Sequence, residues 1–169
     1  MRVRILVAAA FLLAGPLPAA AADRAALAYA ERKCLAEALY FEAASEGAEG
    51  MRAVAEVVFR RAASRDFPGT VCKVVYQGEV KRRCHFSFAC DGARRRARGR
   101  AIWRQSWRLA GEWLKARVAV LEKNTTADAT HFHTVDVAPG WERFGLERTV
   151  QIGRHIFYRP TEAWDGRGP

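Results

Sequence analysis

Residues 34–43 read Cys34-Leu35-Ala36-Glu37-Ala38-Leu39-Tyr40-Phe41-Glu42-Ala43. Leu35, Ala38 and Leu39 fall at i, i+3 and i+4, the spacing of a helix with one face turned to a core, and the next place on that stripe, i+7, is Glu42. A carboxylate thus stands where the pattern asks for an apolar side chain. Burial against Leu35 and Leu39 disfavours the charged form, and a place near the helix C-terminus sets the negative end of the dipole beside it. Both effects predict a raised pKa, and an acid still protonated near neutral pH can donate its proton to a leaving oxygen. The competing reading is a carboxylate paired with one of the chain's many arginines. Glu46, Glu49 and Asp91 are the possible second carboxylates.

Working outward, the helix around Glu42 starts near Asp23 and runs about twenty residues. A second helix is expected over 48–63, with Met51, Val54, Ala55 and Val58 inward and Arg52, Arg60 and Arg61 outward; Gly47 and Gly50 break the chain before it. Phe67-Pro68-Gly69 is a turn, and 71–76 makes one or two helical turns. The stretch 77–99 has little periodicity and reads as a long functional loop. A third helix, 100–120, stacks Trp103, Trp107, Ala110, Leu114 and Val118 on a core stripe. After the polar turn 124–128 the period changes to two. His131, His133, Val135 and Val137 alternate with Phe132, Thr134 and Asp136 as a strand, and 149–159 is a second strand with Gly153 at a turn or bulge. The fold class is α+β, helical first with a small C-terminal β-sheet.

The chain has 169 residues, the size of one domain, and its 27% charged and 50% hydrophobic residues exclude a disordered tail or a low-complexity polymer. Its net charge of +10 points to a polyanionic partner. Residues 1–22 carry Arg2 and Arg4, an apolar run of about ten residues and an alanine-rich end, the pattern of a secretory signal peptide rather than a membrane span. Cleavage near Ala22 would leave 23–169 as the mature domain, with a charge of about +8, in the periplasm or outside the cell. Export makes disulfides the expected state of Cys34, Cys72, Cys84 and Cys90. Three pairings exist; we prefer the small loop Cys84–Cys90, which leaves Cys34 for Cys72. Without a C-x-x-C spacing, zinc is disfavoured there.

The string 34–43, followed by Glu46 and Gly50, then Val54-Ala-Glu-Val-Val58 and Phe67-Pro-Gly-Thr-Val-Cys72-Lys-Val-Val-Tyr-Gln77, resembles the cell-wall hydrolase domain of the SleB type. Phe86-Ser-Phe88 with Cys90-Asp-Gly92, then His131-Phe-His133, then Ile152-Gly-Arg-His155-Ile-Phe-Tyr158, continue the resemblance in order over nearly the whole mature chain. It implies a peptidoglycan-cleaving domain, lysozyme-like or lytic-transglycosylase-like in fold, with Glu42 as the catalytic acid, no cofactor, and a monomeric state. It also implies Tyr40, Glu46, Phe86, Ser87, Asp91, His131 and His133 as residues that meet the substrate. One carboxyl group serves a transglycosylase, whereas an ordinary glycoside hydrolase needs a second one, Asp91 or Glu46. Ala44, Gly47, Met51, Arg60 and His85 depart from the family's usual Arg, Pro, Gln, Asn and Gln.

Three rival readings remain. His131 and His133 with His155 would make a three-His zinc site for an amidase cutting the muramoyl–alanine bond, although we read them as hydrogen-bonded sheet residues lining the cleft. The run Arg94-Arg-Arg-Ala-Arg-Gly-Arg100 beside Trp103 and Trp107 would be a nucleic-acid patch in a cytosolic chain; behind a signal peptide a solvated face or a grip on acidic stem peptides fits better. A wall-binding module without catalysis is the third reading. Nucleic acid and stable membrane insertion are not expected.

Overall fold

The computed structural model describes residues 19–95 and 99–164. The expected signal sequence lies outside the described residues up to position 18, as do positions 96–98 of the arginine run. Five helices come first: α1 (Ala19–Ala43), α2 (Gly47–Ala63), α3 (Val71–Val75), α4 (Arg100–Lys115) and α5 (Arg117–Lys123). Three strands follow, β1 (His131–Thr134), β2 (Leu146–Ile152) and β3 (His155–Pro160).

Helix α2 is the axis of the molecule. Nearly every residue from Gly50 to Phe59 is buried, because α1, α3 and α4 cover one side with Leu35, Leu39, Val71, Val74 and Leu109, while the sheet covers the other. There Ala53 and Val57 meet Ala129 and Phe157. A helix that is apolar most of the way round has to be surrounded in this way. Its one wholly buried carboxylate, Glu56, accepts the Thr126 amide at 2.9 Å and the Thr125 hydroxyl, and so fixes the 124–128 turn that leads into the sheet.

The antiparallel sheet has the order β1-β3-β2. Ile152 faces His155 across a two-residue turn in which Gly153 takes φ +55°, so the expected single strand is a hairpin. The alternation that predicted β1 as far as Val137 extends only to Thr134; Val135 and Val137 are exposed. Helix α4 also differs from its expected stripe. Leu109, Ala110 and Trp113 are buried with Ser106, whereas Trp103 and Trp107 are half-buried beside Tyr40 and Tyr29. The helix breaks at Ala116, and the restart rotates Val118 out to 69% exposure.

Gly50 lies inside α2 rather than before it, and a Cβ there would come within 2.2 Å of the Glu46 side chain. Gly47 starts the helix with φ +66°, a conformation proline cannot adopt, which accounts for glycine at a position where the resembled family usually has proline. The disulfides are Cys34–Cys72, tying α1 to α3, and Cys84–Cys90, closing the loop before α4. The Glu31 carboxylate reinforces the first tie by accepting the Val71 amide at 2.8 Å and the Cys72 amide at 3.2 Å, which satisfies the free N–H groups of α3.

Candidate active site

Glu42 is the penultimate residue of α1, held on its buried stripe by Leu35 and Leu39. Its carboxyl is largely buried and accepts no hydrogen bond among the described residues. Its pKa is pushed up from 4.5 to about 7, first by burial and then by the charge of Asp91, against a downward pull from Arg61. The Asp91 carboxylate thus adds to burial as a cause of the shift. The other buried acids are committed elsewhere: Glu37 meets the Tyr76 hydroxyl, and Glu56 holds its turn.

Arg61 corrects the sequence reading, which placed it outward. It is 5% exposed. Val54, Val58 and Arg61 run i, i+4 and i+7, so the residue continues the apolar stripe of α2 as Glu42 continues that of α1. Its Nε donates to the Thr130 carbonyl at 2.6 Å, and the guanidinium lies over the rings of Phe67 and Phe86 at 5.1 and 5.6 Å. One terminal nitrogen, Nη1, is buried with no partner. Burial lowers its pKa to about 10, partly offset by Glu42, so the group remains a cation at neutral pH.

Asp91 directly follows the loop closed by the Cys84–Cys90 disulfide. Phe88 anchors that loop by stacking on Phe41 at 4.8 Å, and Cys90 and Asp91 donate their amides to the Ser87 carbonyl at 2.9 and 3.1 Å. The Asp91 side chain accepts the Ala93 amide at 2.7 Å, which fixes its orientation. Ser87 is exposed at the start of a short 3-10 turn. Phe86 is 1% exposed and packs on Phe88 and Phe132, so its ring supports the site from within the core and is not presented to a substrate.

Tyr40 and Glu46 connect elements. The Tyr40 hydroxyl accepts the Gly99 amide at 2.8 Å, and its ring meets Trp103. The Glu46 carboxylate accepts the Arg154 amide at 3.0 Å across the hairpin turn, so the carboxylate that acts on Glu42 is Asp91.

A cleft of about 630 Å³ is lined by Arg61, Arg83, Cys84, His85, His131, Phe132 and Trp141, and Arg61 is the lining residue whose charge acts on Glu42. His131 is buried, pairs through Nδ1 with the Thr130 hydroxyl at 2.9 Å, and is held down to about 3 by burial, then by Arg61 and His85. His133 stacks on Tyr158 and reaches its hydroxyl at 3.0 Å. The sheet register separates the third histidine from these two. His155 lies opposite Thr134, on the face of Phe132, whereas His131 and His133 occupy the other face. The three-His arrangement of the amidase reading is therefore not formed, and among the described residues no three His, Cys, Asp or Glu side chains converge as metal ligands.

The family model described as Cell Wall Hydrolase matches residues 45–158, beginning just after Glu42. The chain belongs to this family. It is 31% identical over 127 residues to the spore cortex-lytic enzyme of Oceanobacillus iheyensis, an alignment covering 73% of this chain but only 39% of that protein. The catalytic domain of the Bacillus cereus SleB protein has the same fold, with a TM-score of 0.57 and 23% identity over 78% of this chain and 91% of that one.

Proposed function

We propose that the protein is an exported peptidoglycan-cleaving enzyme, a lytic transglycosylase in which Glu42 is the single acid–base group. The observation that carries this reading is a largely buried carboxyl, without a hydrogen bond among the described residues, held near pKa 7 by burial and the charge of Asp91 against that of Arg61. Family membership and the cortex-lytic name of the relative support a wall polymer as substrate. Glu42 donates its proton to the oxygen linking N-acetylmuramic acid to N-acetylglucosamine, and the glycosidic C–O bond breaks. The resulting carboxylate then takes the proton of the muramoyl C6 hydroxyl, whose oxygen attacks the anomeric carbon and closes a 1,6-anhydro ring. The proton lent in the first step returns in the second, so no net acid is consumed and no cofactor is required.

Asp91 favours one alternative. A second carboxylate acting on Glu42 is also what a glycoside hydrolase uses to activate water or stabilise the sugar cation. Digestion of purified sacculi by wild type and by Glu42→Gln tests the assignment. The variant is expected to release no fragments while keeping its fold; release at the wild-type rate would remove Glu42 from the mechanism.

A further inference from the structure

The cleft lined by Arg61, the cation whose charge acts on Glu42, has a one-sided charge balance. Arg61 and Arg83 line it with His85 and His131, and none of its lining residues is acidic. The Arg61 guanidinium is fixed by Thr130 and by two aromatic rings, yet its Nη1 has no partner. A buried cation with an unused donor is costly unless an anion completes it. Glu42 does not complete it in the acid form that the first chemical step requires. The disulfide-bonded Cys84 and the Cys84–Cys90 loop hold Arg83 and His85 at the rim, so the basic groups come from α2 and the loop independently.

We propose that this cleft is an anionic subsite that binds a carboxylate of the wall polymer next to the scissile bond, so that the preferred substrate is a carboxylate-bearing muramoyl residue rather than a neutral one. This rests on the wall-cleaving reading and names its substrate class. The carboxylate is either the free lactyl arm of muramic acid or a stem-peptide carboxylate; both present the same two oxygens to a guanidinium. Trp141 and Phe132 supply the apolar wall against which the sugar ring lies. An anion here also relieves the repulsion that Arg61 exerts on His85, which burial and Arg61 together hold below the ordinary imidazole range. Binding therefore raises the His85 pKa.

The test is titration of the full chain with three probes: the N-acetylglucosaminyl–N-acetylmuramic acid disaccharide, its lactyl methyl ester, and muramoyl dipeptide. Binding is followed by calorimetry and by histidine resonances. The acid is expected to bind about tenfold more tightly than the ester, the range of one charge-assisted hydrogen bond in a half-open site, and to raise the His85 titration midpoint. The free acid and the dipeptide compared at equal pH distinguish lactyl from peptide carboxylate. Arg61→Gln is expected to erase the acid–ester difference, and Arg83→Gln, at an exposed position, to reduce it without threat to the fold. Equal binding of acid and ester, a difference that survives both substitutions, or no binding of either probe overturns the subsite. Digestion of sacculi by the same wild-type preparation tests the wall-cleaving reading separately.

Discussion

Glu42 and Arg61 are charged residues on apolar stripes, and the consequences of each can be measured. The folded Glu42 holds its proton to about pH 7 against 4.5 ordinarily, so the folded state binds more protons than the unfolded one between those values. Stability from this group is full below 4.5 and is lost as pH rises through 7. Glu42→Gln removes the loss and is expected to raise stability at pH 8 by on the order of 2 kcal/mol, read by denaturant unfolding, while digestion of sacculi falls at least about a hundredfold. A variant both inactive and less stable at pH 8 would contradict the assigned shift. Asp91→Asn keeps an acceptor for the Ala93 amide but removes the charge that raises Glu42. The alkaline limb of the activity profile should then move to lower pH, by up to about one unit; an unmoved limb would separate Asp91 from Glu42. Half of this pair of stripe charges was legible from helical period alone. Glu42 was found because its neighbours on the stripe are leucines, while Arg61 was read as outward although Val54 and Val58 define the same spacing. Asp91 was recognisable as a candidate, but its proximity depends on a loop whose path no periodicity encodes.

At the scale of elements, the disulfides and one glycine set the positions of the candidate site residues. Closing the 38-residue span from Cys34 to Cys72 limits the unfolded chain more than closing the six-residue span at Cys84. The chain-entropy cost of removing them is about 4 and about 2 kcal/mol respectively. Serine replacements of each pair should therefore lower the melting temperature in that order, with the Cys84–Cys90 change also slowing digestion because His85 lies within that loop and Asp91 directly follows it. Gly153 combines a left-handed backbone with a turn so close to Glu46 that a Cβ would lie 1.6 Å from its Oε2. Gly153→Ala is expected to cost about 1–2 kcal/mol, and a double-mutant cycle with Glu46→Ala should recover part of it. Strict additivity would mean that the carboxylate does not anchor the hairpin. The helices and the turn at Gly153 follow from spacing and local chemistry. The break at Ala116 and the early end of β1 do not, because packing against α2 and exposure beyond Thr134 decide them.

For the whole molecule, a net charge of +10 favours encounter with an anionic polymer. Wall association should therefore weaken between low and physiological salt while the pH dependence set by Glu42 stays in place. Sedimentation of the protein with sacculi at two ionic strengths measures this, and salt-independent association would assign binding to the cleft alone. The α+β order of helices and then sheet, expected from the change of period after residue 128, is the order observed, and it brings His131 of β1 and Trp141 of the following 3-10 turn to the cleft that the α2 guanidinium also lines. The most direct measurement of the central claim is mass analysis of purified peptidoglycan after digestion by wild type and by Glu42→Gln. A single-acid transglycosylase mechanism yields 1,6-anhydromuramoyl ends with wild type and none with the variant. Reducing muramoyl ends would contradict the single-carboxyl mechanism in favour of hydrolysis assisted by Asp91, and free stem peptides with intact glycan would contradict glycosidic cleavage altogether.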